Sequence, residues 1–485
     1  MSGAGIIDQT VKIVREQIDE LGMCLRYRGG SLYLYEDGYW RVLDEDDKDR
    51  WFNQLVLEAC RETGATYGKE EGAILKTLAA DVGGEFNDFD DEPFIAVLGG
   101  RTIDPRYEEP EVLEWSPDHG TTRKLDIYYD PDATCPQWEA MLWRMLEDKD
   151  RSDDDIKQLV AFLQRWFGVN IVGKTAKKNR SMSNGLFIEG PSHTGKTTFS
   201  QVFCEFYGGM NDVRVASPSM ETLGQQFGKQ LLINAMVLAA DDAMKEGVKV
   251  PTELLKNLIG GGSIQVDRKT IAPVKLSFHG AVLFTGNNLP AVEDYSDGIY
   301  NRLHLVQMTR VFTEADQKRD LNGMNPIEFL RKHKEFPGIF NWALEGYRDA
   351  MQRRSLAPPK TVMDASRMFR MRNDPVYAFW CECVVPSPHW ALNAEAAVEI
   401  CRQHAMFHTE KKFISRKRAA AQVPRTLLEV HKEAKIETEG QLRIPTEYIG
   451  VKLNKHGLGF WKDAKQDNAN ARSLGKIERA HYKCL

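Results

Sequence analysis

Apolar residues change their spacing several times along this chain of 485 residues. They recur at helical intervals over residues 7–21, then alternate through Ser31-Leu32-Tyr33-Leu34-Tyr35. A Glu36-Asp37-Gly38 turn leads to a second run, Tyr39-Trp40-Arg41-Val42-Leu43, and such a pair predicts a β-hairpin. Helical spacing returns over 49–63 and 69–78. Beyond residue 150 the strand signals become short and continuously apolar: Gly185-Leu186-Phe187-Ile188, Met236-Val237-Leu238-Ala239-Ala240 and Ala281-Val282-Leu283-Phe284. Continuous apolar strands alternating with helices predict a parallel sheet covered on both faces. Pro358-Pro359 marks a linker. Past it, residues 376–383 and 393–405 suit helices. A basic helical stretch starts at Ser415, is interrupted at Pro424 and resumes to Glu433, and strand-like runs follow at 442–444 and 448–453. The expected fold class is α/β: an α+β domain over 1–150, a parallel-sheet core over 151–355, and a mostly helical domain over 356–485. Helices followed by a basic hairpin give that last domain the outline of a winged helix.

Charge divides the chain unevenly. The net charge is −6, yet residues 1–150 carry 16 Lys and Arg against 34 Asp and Glu. Residues 353–485 reverse this, with 24 against 14. An acidic front and a basic back direct nucleic acid to the back, where a merely solvated basic face is the alternative. No apolar run approaches the roughly 18 residues of a membrane span, and the first residues lack the basic-then-apolar order of a signal peptide. A soluble, intracellular protein without a membrane partner is expected. Eight cysteines form no Cys-x-x-Cys pair, which points to free thiols and to no structural zinc. Asp88-Phe89-Asp90 invites a polymerase-type metal reading, but no second carboxylate or His motif follows, and it reads as a solvated loop.

The strongest chemical signal is Gly190-Pro191-Ser192-His193-Thr194-Gly195-Lys196-Thr197, with Thr198 opening the segment after it. An apolar strand enters it and a helix-compatible stretch leaves it, the context a phosphate-binding loop requires. Glycines let backbone N–H groups turn toward a triphosphate, and the helix N-terminus adds partial positive charge. Lys196 would reach the β- and γ-phosphates of ATP, and Thr197 would ligate Mg2+. The second strand ends in Asp241-Asp242: Asp241 suits the magnesium and Asp242 the activation of water. The third strand is tipped by Asn287, with Asn288 the alternative one residue on; either amide could contact the γ-phosphate or the attacking water. Arg302 follows shortly and suits a finger completing a neighbouring subunit's site, against the plainer reading of a surface ion pair. Between the second and third strands, a glycine-rich turn at 260–262 precedes a hairpin carrying Arg268 and Lys269, two adjacent cations able to grip a single-strand backbone.

Together these motifs resemble a superfamily 3 helicase, and more closely the helicase portion of phage and plasmid primase-helicases, the family that includes the poxvirus primase-helicase. The resemblance extends upstream through residues 32–43, 89–104 and Cys135-Pro136-Gln137-Trp138, and downstream through 336–346, covering about 30–350. It implies an AAA+-like core, a homohexameric ring, ATP hydrolysis between subunits, and 3′-to-5′ movement on single-stranded DNA from a fork. By motif, Lys196, Thr197, Asp241, Asp242, Asn287 and Arg302 take the nucleotide roles, and Arg268 and Lys269 fall on the translocating hairpin. Asp242 departs from the glutamate often found there. The primase domain that often precedes such helicases is not seen, which implies a separate primase or polymerase as partner. A phage or plasmid origin places the protein in the cytoplasm of a bacterial host. In the tail, Lys411, Lys412, Arg416, Lys417 and Arg418 are the candidate DNA phosphate contacts, with subunit packing as the alternative role. The competing function is a replication initiator or helicase loader that uses ATP as an assembly switch; an RNA helicase is disfavoured by the flanking regions.

Overall fold

The computed structural model describes residues 3–43, 51–83, 88–241, 251–268, 271–288, 297–408, 414–439, 444–455 and 457–458. The chain forms two compact units, Met1–Ala291 with Asn301–Met363, and Val292–Tyr300 with Asp364–Leu485.

The first unit opens with helix Gly3–Glu20 and an antiparallel sheet of β1 (Cys24–Arg28), β2 (Ser31–Glu36) and β3 (Tyr39–Val42). The β2–β3 hairpin is the one its alternation predicted; β1 extends it by a strand. Helices Asn53–Thr63 and Tyr67–Asp81 close a small core around Val14, Leu34, Val56 and Leu78. A four-stranded sheet follows, in the order β6 (Glu111–Glu114), β5 (Arg101–Asp104), β4 (Ile95–Leu98), β7 (Lys124–Tyr128). Its Ile95, Val97, Ile103 and Leu125 share one continuous apolar core with Trp138, Phe167, Leu186 and Phe199 of the nucleotide core. Asp90 departs from the solvated-loop expectation. It is buried at φ 55° and accepts hydrogen bonds from the Thr122 N–H (2.6 Å) and hydroxyl (2.5 Å). It is therefore a turn-former rather than a solvent-facing acid.

The nucleotide core is a five-stranded sheet in the order β14 (Leu303–Gln307), β8 (Gly185–Glu189), β13 (Ala281–Gly286), β10 (Val237–Ala240), β9 (Val215–Ala216), every neighbouring pair parallel. All residues of β10 and β13 are buried, which is why β10 and the first four residues of β13 are continuously apolar. Helix Asp153–Val172, started by a Ser152/Asp155 capping box, packs along helix Glu335–Arg353. The β11 (Ser263–Arg268) and β12 (Ile271–Ser277) strands form a separate antiparallel ladder.

The second unit runs helix Pro375–Cys383, β15 (Val384–Asn393), helix Ala394–His408, helix Arg416–Val430, β16 (Lys435–Glu439) and β17 (Ile444–Leu453). The sheet order β15-β17-β16 closes it in the helix–strand–helix–helix–strand–strand arrangement of a winged helix, over a core of Trp380, Leu392, Ile400, Leu427 and Val451. Two local expectations change. Helix Arg416–Val430 continues through Pro424, because the carbonyl that loses its donor belongs to exposed Ala420, where water can replace it. A strand at Lys435–Glu439 is added, since Ile436 packs inward between charged neighbours that mask a strand signal. Of the expected strand at 442–444, Ile444 opens β17, and residues 442 and 443 lie outside the described residues. Among the described residues no helix is long and apolar enough to cross a membrane.

Candidate nucleotide site and nucleic-acid surfaces

The loop 190–197 leaves the carboxyl end of β8, an interior strand of the sheet, and enters helix Lys196–Glu205. Its path requires small residues. A Cβ on Gly190 would lie 1.9 Å from the Met308 carbonyl oxygen, and Gly195 (φ 91°) and His193 (φ 62°) are both left-handed. The N–H groups of Ser192, His193, Thr194 and Gly195 donate to no other described residue, so the loop presents a cluster of oriented donors. Buried Lys196 reaches back over this cluster. Its Nζ donates to the carbonyls of Gly190 (2.7 Å) and Pro191 (2.5 Å) and to Asn287 Oδ1 (3.1 Å). Among its partners in the described residues are three neutral oxygens, which a triphosphate oxygen would readily replace.

Asn287 stands there because β13 lies beside β8, with Thr285 paired to Ile188 and Gly286 to Glu189. On its other side β13 pairs with β10, and buried Thr285 donates its hydroxyl to Asp241 Oδ1 at 2.8 Å. The structure thus gathers Lys196, Asn287 and Asp241 at the carboxyl ends of three adjacent strands. Exposed Thr197 lies in the first turn of the helix, and Thr198 is half-buried one residue on. The hard oxygens of Thr197 and Asp241 fit a magnesium ion's preference, and the hydroxyl of Thr285 fixes one carboxylate oxygen in orientation. Asp242 lies outside the described residues. Thr285 is a site residue that sequence reading missed: inside an apolar strand, its hydroxyl gave no periodic signal.

Beside the loop opens a cavity of about 750 Å³. One wall is helix Pro136–Leu146, through Met141 and Met145; the opposite wall is Phe312, Leu321 and Phe329, and His193, Gly195 and Thr198 form the loop side. The helix is fixed at its N-terminus by the buried Glu335 carboxylate, which accepts from the N–H groups of Gln137 and Trp138, both at 3.0 Å. Burial raises the pKa of Glu335, and those two backbone hydrogen bonds oppose the rise. Arg144, Asp316 and Asp320 also line the cavity, and a mostly apolar cleft with a few charged groups next to a phosphate loop suits a flat heterocycle. The cavity walls were the second omission, since Met141 and Met145 at helical spacing read equally well as core.

Arg302 lies elsewhere. Its carbonyl accepts from the Gly185 N–H at 2.8 Å, and β14 pairs Leu303 with Gly185 and Gln307 with Glu189. The half-buried Arg302 is therefore at the amino end of the sheet, about 16 Å of strand from its own phosphate loop at roughly 3.3 Å per residue. Arg268 ends β11 at the tip of the separate hairpin, and Lys269 lies outside the described residues. In the second unit Arg416, Lys417 and Arg418 are exposed in the first turn of helix Arg416–Val430, behind the Ser415 cap; Arg416 is 3.6 Å from Glu395. Lys411 and Lys412 lie outside the described residues.

A family described as D5 N terminal like matches residues 13–147, and a family of unknown function, DUF5906, matches residues 188–302. The chain is similar to replication protein E1 of human papillomavirus 30, with 27% identity over 179 residues, 35% of this chain and 27% of that protein. It is also similar to replication protein E1 of human papillomavirus type 10, at 28% over 193 residues, 38% of this chain and 27% of that protein. The chain thus matches just over a quarter of the length of these curated relatives. Among solved structures, the apo C-terminal region of NrS-1 aligns with 90% of this chain and 99% of its own at a TM-score of 0.43 and 11% identity. The chain is thus similar to the D5 N terminal like family ahead of its phosphate loop, and to viral replication proteins over 35–38% of its length.

Proposed function

We propose that this chain works in DNA replication as an ATP-driven helicase, turning over at the interfaces of a homohexameric ring that translocates on single-stranded DNA. The observation that carries the reading is the meeting of Lys196, Asn287 and the Thr285–Asp241 pair at one end of the parallel sheet, with Arg302 at the other end. In this reading loop residues 190–198 hold the triphosphate of ATP, with the base in the cavity beside Met141 and Phe312. Thr197 and Asp241 hold Mg2+, which supplies positive charge against the phosphates. Lys196 exchanges its carbonyl partners for phosphate oxygens, Asn287 orients the γ-phosphate or the attacking water, and Asp242 takes the water's proton. Arg302 serves the site of the next subunit. Arg268 and Lys269 grip the strand, while Lys411, Lys412, Arg416, Lys417 and Arg418 bind backbone phosphates near the fork. The acidic residues 1–150, the ATPase of 151–355 and the basic tail of 356–485 are the functional divisions, with primers supplied by a separate primase or polymerase.

The test is ATP hydrolysis with and without single-stranded DNA, paired with unwinding of a forked duplex, for wild type and the Arg268→Ala/Lys269→Ala double variant. The expected result is strand-stimulated hydrolysis with unwinding that the double variant loses. Nucleotide binding without stimulation or unwinding would replace the helicase with a loader that uses ATP as a switch.

A further inference from the structure

On its β12 side the β11–β12 hairpin joins the sheet through Phe278, His279 and Gly280, and β13 begins at Ala281. That strand carries Thr285 and Asn287 at its far end, so the nucleotide site and the hairpin are the two ends of one short segment. Its hairpin end is held by two side chains from outside the sheet. Arg123 donates from Nη2 to the His279 carbonyl at 2.7 Å, and Lys177 donates from Nζ to the Gly280 carbonyl at 2.6 Å. Two consecutive carbonyls are thereby caught from two different elements.

Arg123 belongs to the front region. Its own N–H donates to the Thr121 hydroxyl oxygen (3.0 Å), and its carbonyl accepts from the Ala96 N–H (2.8 Å), which ties its backbone to the four-stranded sheet. Its guanidinium is 2% exposed, yet Nε and Nη1 are buried without a hydrogen-bond partner. Leaving buried donors unpaired is costly, and apolar side chains would serve stability better at such a place. What the arrangement supplies instead is direction: a long rigid donor fixed to the front sheet and aimed at one carbonyl. The His279 ring, held neutral with its pKa down at about 3 by burial and by Arg123, Lys177 and Lys174, packs under Gly261 at the hairpin's entry, so both feet are held at one spot. Burial, with Arg123 next, also lowers the pKa of Lys177 well below its usual value, and either protonation state keeps an N–H for the carbonyl.

We propose that Arg123 and Lys177 are positioning residues that anchor the foot of the β11–β12 hairpin, so that displacement begun at Asn287 swings the hairpin instead of dissipating in residues 278–280. This rests on the helicase reading above. It assigns the front region a mechanical part in the motor: it is the fixed mount against which the hairpin turns.

The test uses the full chain as wild type, Lys177→Met, Arg123→Met and the conservative Arg123→Lys, with four readouts: basal hydrolysis, strand-stimulated hydrolysis, fork unwinding and melting temperature. The two methionine variants are expected to keep basal hydrolysis within about twofold and to lose about tenfold in unwinding and in strand stimulation, a split that separates coupling from chemistry. Arg123→Lys, which keeps one donor, is expected to recover part of the loss. Unwinding at the wild-type rate in both methionine variants would overturn the anchor. So would a parallel fall of basal hydrolysis, melting temperature and unwinding, which marks a purely structural role. A wild type without strand stimulation would instead bring down the helicase reading, and the anchor with it.

Discussion

Lys196 and Asn287 were legible in the sequence because their motifs are contiguous: a spaced loop needs only its own residues to be recognised, and a polar amide at the end of an apolar strand stands out. Thr285 was not, because its partner Asp241 lies 44 positions away and only strand pairing brings them together. Its role makes a specific prediction. Thr285→Val keeps the shape of the buried side chain and removes the hydroxyl that orients Asp241. Groups that orient a metal-binding carboxylate typically contribute about 10–100-fold to activity. Thr285→Val is therefore expected to lower kcat for ATP hydrolysis by about that factor, while nucleotide affinity changes little, because the phosphate loop is untouched. Steady-state hydrolysis together with equilibrium binding of a fluorescent nucleotide reads both quantities. Equal losses in both would mean that Thr285 supports the fold of the site and not the orientation of one carboxylate.

Elements were readable to the extent that their burial was uniform. β8, β10 and β13 open on continuous apolar runs because both faces of a parallel sheet are covered, and no neighbouring element is needed to see it. β1 and β16 were missed for the opposite reason: Cys24–Arg28 and Lys435–Glu439 are polar on one face, and their strand character comes from pairing with β2 and β17. Helix packing was equally hidden. Helices Asp153–Val172 and Glu335–Arg353 approach so closely that a Cβ on Gly168 would lie 2.1 Å from the Ala343 carbonyl oxygen and 2.5 Å from the Tyr347 nitrogen. Nothing local marks Gly168 as a contact point inside an otherwise good helix. The close approach predicts that Gly168→Ala, although it raises helix propensity, destabilises the first unit, by about 1–3 kcal/mol as overpacking in cores generally does. A denaturant titration following the fluorescence of Trp166 and Trp138 should show an earlier midpoint at similar slope. A later midpoint would mean that propensity outweighs the steric conflict.

For the molecule as an assembly, the position of Arg302 carries the most weight. A single chain places its phosphate loop at the carboxyl edge of the sheet and Arg302 at the amino edge, with the pairing of β8 and β14 fixing that separation residue by residue. No rotamer of one arginine spans a whole strand, so a catalytic Arg302 has to act on another copy of the chain. That geometry predicts complementation between two dead variants. Lys196→Ala loses the loop lysine but still offers Arg302; Arg302→Ala keeps the loop and lacks the finger. Each alone is expected to hydrolyse ATP below about one hundredth of the wild-type rate, the scale on which removing such charges acts, and Arg302→Ala is expected to bind nucleotide normally. Mixed in equal amounts and allowed to exchange subunits, they form interfaces in which an intact loop faces an intact finger. Hydrolysis should reappear in proportion to the statistical share of those interfaces, and it should fall when either variant is in large excess. A mixture as inactive as its parents, in assemblies shown by mass to contain both variants, would remove Arg302 from the catalytic interface and leave it the surface ion pair that its sequence context equally allowed.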